Sequence, residues 1–235
     1  MEKYVVLVVG RGKLAAELLN GLGGQSVSRV LPWHERDNKG SGPCMVVHAG
    51  SGRELEDVAE FCANTGSPLL ELSTAGAQLP PSPVFPIIIC PNVNMQMLSF
   101  MAMVKQAVGY FKGQDIVITE SHQATKTSKP GTAIHLAGYL GVPDEKIRSI
   151  RDPKVQSKTL HIPDEFLARH AYHEILMKSG EVEIRLETQV LGKSAYATGL
   201  GEVIGIIAHS LLRPGVHDVV DLVISDAERR TACHD

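Results

Sequence analysis

Tyr4-Val5-Val6-Leu7-Val8-Val9-Gly10-Arg11-Gly12-Lys13-Leu14-Ala15 is the stretch on which the fold reading turns. Its first six residues form an unbroken apolar, β-branched run. Such a run without alternation reads as a strand buried on both faces, the kind found inside parallel sheets. A glycine turn follows, and Ala16-Glu17-Leu18-Leu19 continues with helical character until Gly23-Gly24. The turn fits the pattern G-x-G-x-x-G/A between strand and helix. Glycine permits the tight turn and close backbone approach, and the free amides at the helix start bind a pyrophosphate. The pattern also expects an acid about 20 residues on to hold ribose hydroxyls. Ser28-Arg29-Val30 stands there and Glu35 comes later, so Arg29 reads either as a 2′-phosphate contact or as a solvated surface residue.

Outward from this unit, strands are predicted at 27–31, 43–48, 68–72 and 86–89, with an amphipathic helix over 53–64. In that helix Leu55, Val58, Ala59 and Cys62 recur at three- and four-residue intervals, and Gly66 suits its C-terminal cap. Alternating strands and helices imply a parallel sheet with right-handed crossovers. A long apolar helix over 94–111, a strand over 115–120 and a helix over 132–140 follow. Residues 167–177 and 181–190 read as antiparallel strands, and 199–212 as a last apolar helix. The expected class is α/β: a Rossmann-like doubly wound domain (residues 1–93 and 197–235) plus a central α+β substrate domain with an open mixed sheet (94–196).

The 235 residues are 43% hydrophobic and 21% charged, an ordinary globular composition that gives each of two domains its own core. A net charge of −3 argues against nucleic acid or an anionic membrane as partner. No apolar run approaches the roughly 20 residues of a membrane helix. The start runs straight into a strand, so no signal peptide is expected; the sparse cysteines make the cytoplasm the default location, with a plastid as the alternative. Cys44, Cys62, Cys90 and Cys233 are widely spaced, which argues against disulfides or zinc. His170 and His173 come nearest to ligand spacing but lack a partner at a recognised distance, so no metal site is expected.

The second informative stretch is Glu120-Ser121-His122-Gln123-Ala124-Thr125-Lys126, followed by Pro130-Gly131-Thr132-Ala133. A histidine at a strand end is a proton donor to a substrate nitrogen or oxygen when its pKa lies near neutrality. A lysine four residues on adds positive charge, and amides opening a helix at Gly131-Thr132 form a carboxylate pocket.

At this loop the chain resembles the 4-hydroxy-tetrahydrodipicolinate (dihydrodipicolinate) reductase family, whose signature has the form E-x-H-H-x-x-K-x-D-x-P-S-G-T-A. Glu120, His122, Lys126, Pro130, Gly131, Thr132 and Ala133 match it in order. Phe61-Cys62 with Ser73-Thr74-Ala75-Gly76, Cys90-Pro91-Asn92-Val93-Asn94, His173-Glu174, Gly180-Glu181 and Ala197-Thr198-Gly199 look like further family segments. The resemblance implies a Rossmann-like domain completed by the C-terminal segment and a homotetramer paired through the central sheet. It also implies hydride transfer from NADPH or NADH to the cyclic C=N bond of a small carboxylate substrate of lysine (diaminopimelate) biosynthesis. By carry-over, His122 is the general acid and Lys126 protonates or orients the substrate. Gly131 and Thr132 then hold a carboxylate, and Gly10, Gly12, Lys13, Leu14, Ala49, Gly50, Ser73, Thr74 and Asn92 line the cofactor site; Gln123 and Lys193 are further expected substrate contacts beside the carry-over. Pro91-Asn92-Val93 is the expected hinge.

Departures from the signature keep other readings open. Gln123 replaces the second histidine, Ser128 replaces the aspartate, and the serine before Gly131 is missing. His48-Ala49-Gly50 stands where the family has acid-phenylalanine-threonine, and Ala75 replaces a threonine. Losing designed polar partners costs a specific substrate dearly. A paralogue reducing another imine, enamine or keto acid therefore stands beside the lysine-pathway reading. A non-catalytic nucleotide-binding regulator is the alternative from a different class.

Overall fold

The computed structural model describes residues 3–73, 79–127, 131–192 and 196–232. In chain order its elements are β1 (Tyr4–Val9), α1 (Lys13–Gly21), β2 (Val27–Pro32), β3 (Cys44–His48), α2 (Leu55–Thr65), β4 (Leu69–Glu71), β5 (Pro86–Ile89) and α3 (Met95–Ala107). There follow β6 (Asp115–His122), α4 (Gly131–Leu140), β7 (Arg148–Ile150), α5 (Pro153–Lys158), β8 (His170–Ser179), β9 (Val182–Leu191), α6 (Tyr196–Ala208), β10 (Gly215–Asp218) and α7 (Val219–Ala232). The chain divides into two compact units, Met1–Ala102 with Ala195–Asp235, and Met103–Ser194. The first unit therefore continues into α3, past the residue 93 expected from sequence.

In the first unit six strands lie in the order β10-β5-β4-β3-β1-β2, and every pairing is parallel. Val5 to Val9 are all buried, as the unbroken apolar run predicts. Val5, Leu7, Val9, Val46, Leu69 and Ile87 pack with Leu55, Val58 and Cys62 of α2 in one core cluster. Each buried side chain of this size contributes roughly 1.5–3 kcal/mol. Gly66 ends α2 at φ +67°, the left-handed cap that glycine adopts without strain. The C-terminal segment does complete this sheet: Gly215 to Asp218 of β10 pair with Pro86 to Ile89 of β5. Neither β10 nor α7 was legible beforehand. The first has four residues, and the apolar start of α7 gives way to Asp226, Glu228, Arg229 and Arg230.

The second unit carries a mixed sheet of order β7-β6-β8-β9, parallel between β6 and β7 and antiparallel elsewhere. Register sets Ile118 opposite Ile175 and Glu120 opposite His173, so these side chains share a face with His122. The helix expected over 94–111 is α-helical only to Ala107 and tightens to a 3-10 turn over Val108–Phe111. β7 and α5 are additions to the sequence reading. The Asp152 carboxylate caps α5 by accepting from the Lys154 amide at 2.8 Å, and Pro153 occupies the first turn. No helix among the described residues is long and apolar enough to cross a membrane.

Candidate functional site

Because the first sheet is parallel, the carboxyl ends of its strands lie along one edge. Gly10 follows β1, Ala49 and Gly50 follow β3, Ser73 lies just past β4 and Asn92 just past β5. Four adjacent strands thus bring these predicted cofactor residues to the edge where open α/β sheets bind ligands. Thr74 lies outside the described residues. Gly10 has φ +129°, and a Cβ there would sit 2.5 Å from the Ala49 carbonyl oxygen, so the protein itself demands glycine. Gly12 is different. Its backbone is ordinary extended chain, and a Cβ would meet nothing within 4 Å. Packing gives no reason for glycine there, and the space beside it is open to a ligand. Lys13 and Leu14 open α1, whose first turn holds no acid to neutralise the helix dipole. A pocket of about 610 Å³ is lined by Gly10, Arg11, Gly12, Ala49 and Gly50, with Arg53 and Glu54 from the approach to α2. These residues fit a dinucleotide phosphate bridge. Arg29 donates instead to the Asn38 carbonyl at 2.6 Å.

Behind this pocket lies a pair the sequence reading passed over. His48 and Glu71 face each other on β3 and β4, both buried, with Nδ1 2.8 Å from each carboxylate oxygen. Glu71 also accepts from the Ser73 amide at 2.6 Å. Only glycine fits at position 50, since a Cβ would stand 2.9 Å from His48 Nε2.

In the second unit, His122 ends β6. Its Nδ1 donates to Glu120 Oε2 at 2.7 Å, which leaves Nε2 as the nitrogen available to a substrate. Glu120 is fully buried, and its other oxygen accepts from Arg151 Nη2 at 2.7 Å. Burial by itself pushes the Glu120 carboxyl up. Hydrogen bonds from His122, Arg151 and Ser149 outweigh it and hold the group at about 2. Burial is also the largest influence on His122 and lowers it. The Glu120 hydrogen bond opposes that, and the charges of Lys126 and Arg151 reinforce it. Lys126 is lowered as well, first by burial, against the attraction of Glu120.

The surroundings hold this pair in place. The Lys126 amide donates to the Gln123 carbonyl at 2.9 Å, closing the turn that carries both predicted residues. Buried Gln156 on α5 donates to Ser121 Oγ, to the His122 carbonyl at 2.8 Å and to the Ile150 carbonyl. Ser121 Oγ lies 3.0 Å from His170 Nε2, and His170 Nδ1 donates to the Phe166 carbonyl. His173 stacks edge-on against His122, with ring centroids 5.8 Å apart, and burial pushes it down to about 3. His170 and His173, three apart on a strand, point to opposite faces and make no ligand pair. Gly131 and Thr132 open α4, with Thr132 buried. Lys193 lies outside the described residues.

Residues 97–223, more than half of the chain, match the family model described as dihydrodipicolinate reductase, C-terminus. The chain belongs to the dihydrodipicolinate reductase family. It is 29% identical over 189 residues to 4-hydroxy-tetrahydrodipicolinate reductase 2, chloroplastic, of Arabidopsis thaliana, covering 72% of this chain and 54% of that one. To the probable 4-hydroxy-tetrahydrodipicolinate reductase 1, chloroplastic, of Oryza sativa subsp. japonica it is 31% identical over 151 residues, covering 58% and 44%. The chain thus spans about half the length of the curated relatives it matches. The dipicolinate-bound dihydrodipicolinate reductase from Paenisporosarcina sp. TG-14 has the same fold, with TM-score 0.60 and 13% identity over 92% of this chain and 97% of that one.

Within this dihydrodipicolinate reductase family member, Arg151, Gln156 and the His48–Glu71 pair are the site-adjacent residues that sequence reasoning missed. Ile150-Arg151-Asp152-Pro153 held the available signal for the first two, because an aspartate before a proline marks a helix start. That places Arg151 at the junction of a strand and a helix.

Proposed function

We propose that this protein is an NAD(P)H-dependent reductase of a cyclic imine carboxylate, 4-hydroxy-tetrahydrodipicolinate, in lysine biosynthesis. The observation that carries this reading is the Glu120–His122 pair at the end of β6, directly before the turn that holds Lys126, inside the segment matched to the family. The glycine turn at Gly10 and Gly12, with Lys13 and Leu14 at the start of α1, would hold the phosphate bridge of NADPH or NADH. Ala49, Gly50, Ser73 and Asn92 occupy the same sheet edge, and Thr74 joins them by resemblance. A bound nicotinamide supplies the hydride.

The remaining work belongs to this chain's residues. Reduction of C=N leaves nitrogen in need of one proton. His122, lowered by burial, is neutral near pH 7 and offers Nε2 as a hydrogen-bond acceptor or relay. Burial weakens the hold of Lys126 on its proton, which makes its ammonium the stocked donor. This shifts the first protonation toward Lys126 from the general-acid role expected of His122. The Gly131 and Thr132 amides at the start of α4 receive a carboxylate, with Gln123 and Lys193 as further contacts. Assembly as a homotetramer is part of the proposal; exposed Val182 and Ile184 on β9 support it, and sedimentation velocity tests it.

The deciding assay couples the purified protein to the synthase that makes the substrate in situ and follows nucleotide oxidation. Turnover with NADPH or NADH is expected. Nucleotide binding without turnover would favour the paralogue prompted by Gln123, and no binding of either nucleotide would end the reading.

A further inference from the structure

Glu120 is a carboxylate with no exposure to solvent, and its two oxygens have different clients: His122 on one side, Arg151 on the other. Parallel pairing of β6 with β7 sets Ser121 against Ile150, which brings the next residue, Arg151, within reach of Glu120. The same guanidinium donates through Nη1 to the Ile150 carbonyl at 3.0 Å and through Nε to the Lys126 carbonyl at 3.4 Å. One planar fork therefore ties together the strand that ends in His122 and the loop that carries Lys126. An ammonium cannot do this, being a point donor without the spread of three nitrogens.

We propose that Arg151 is a positioning residue of the reductase site, one that fixes the Glu120–His122 pair and the Lys126 loop in a single arrangement. The proposal rests on the reading of His122 and Lys126 as the proton-handling groups. No member of the loop signature assigns it, because Arg151 lies 31 residues beyond Glu120, past α4 and β7.

The consequence for His122 has a definite sign. The groups acting on it are Glu120 on its own strand, Lys126 in the following loop, Arg151 beyond β7, and His170 and His173 on β8. Arg151 disfavours the imidazolium directly and also draws on the Glu120 charge that would stabilise it. Removing Arg151 therefore raises the pH at which His122 takes up a proton.

The test is a histidine titration by NMR on the protein without substrate, assigned with H122N. In R151M the His122 midpoint is expected about one pH unit above wild type, a tenfold change in proton affinity. The pH–rate limb of the reductase should move with it, and kcat should fall about tenfold with KM little changed. R151K, which keeps the charge and loses the fork, should titrate between the two and still show the fall in kcat. His122 titrating in R151M as in wild type would overturn the proposal. If R151M does not fold, R151K indistinguishable from wild type in both titration and kcat would overturn it equally. Because the titration needs no turnover, failure of the reductase reading would leave this result legible on its own.

Discussion

At the scale of single residues the site is governed by which charges are buried with partners. Loss of His122 should cost much in chemistry and little in stability, because its ring is partly exposed and Glu120 retains Arg151. His122→Ala should cut turnover by roughly 10²–10⁴-fold with modest change in nucleotide affinity. A steady-state assay beside a nucleotide titration checks this; undiminished turnover would remove His122 from the mechanism. His48 behaves oppositely. His48→Leu strands the Glu71 carboxylate in the interior, with the Ser73 amide still donating to it. Breaking a buried pair by removing one partner costs about 3–5 kcal/mol. Guanidinium denaturation should show a loss of that order, and a loss under about 1 kcal/mol would mean the pair gives little support.

At the scale of elements, the strand–turn–helix at the start of the chain separates two kinds of glycine. Gly10→Ala should damage the fold itself, since the new Cβ has a carbonyl oxygen 2.5 Å away and the residue sits at φ +129°. Gly12→Ala should leave the melting temperature unchanged, because the new Cβ meets nothing in the protein within 4 Å, and on the proposed phosphate site it should weaken NADPH or NADH binding at least tenfold. Fluorescence titration and thermal melts on the two variants decide it; Gly12→Ala binding as wild type would show that the phosphates lie elsewhere. This element was readable beforehand because its signal is local: six apolar residues, a turn and a helix start are contiguous. The Glu120–His122–Lys126 stretch was readable for the same reason. β7 and α5 were not, as Arg148-Ser149-Ile150 is too short to show a period and α5 has only six residues. Arg151 and Gln156 acquire their roles from the parallel pairing of β6 with β7, a contact between distant segments that no local pattern records. His48 was legible as a departure from the family strand end, but its partner Glu71 emerges only when β3 and β4 lie side by side.

At the scale of the whole molecule, the two units should respond differently to acid, because the groups whose titrations are strongly lowered, Glu120 and His173, both lie in the second. His173 is buried and neutral, with its proton affinity pushed down from 6.5 to about 3. A base lowered by folding stabilises the native state fully above its unfolded value, and that stability drains away as pH falls from 6.5 toward 3. Glu120 is lowered from 4.5 to about 2, so its contribution is complete above 4.5 and is lost between 4.5 and 2. The second unit should therefore weaken from pH 6.5 downward through His173, and more steeply below 4.5 when Glu120 joins. The His173 share is on the order of a few kcal/mol, a large fraction of the total stability of a domain. His173→Phe isolates it. Neither ring nitrogen of His173 has a hydrogen-bond partner among the described residues, so an apolar ring of similar size loses no bond there. Hydrogen exchange of β8 amides, read as a function of pH, follows this unit separately from the first. In the variant, the slope of protection between pH 6.5 and 4.5 should fall to the share left by His122 and His170, which burial also lowers, while that of β1 and β3 is unchanged. An undiminished slope in β8 would mean that another group takes up the proton, and that His173 is already charged in the folded protein.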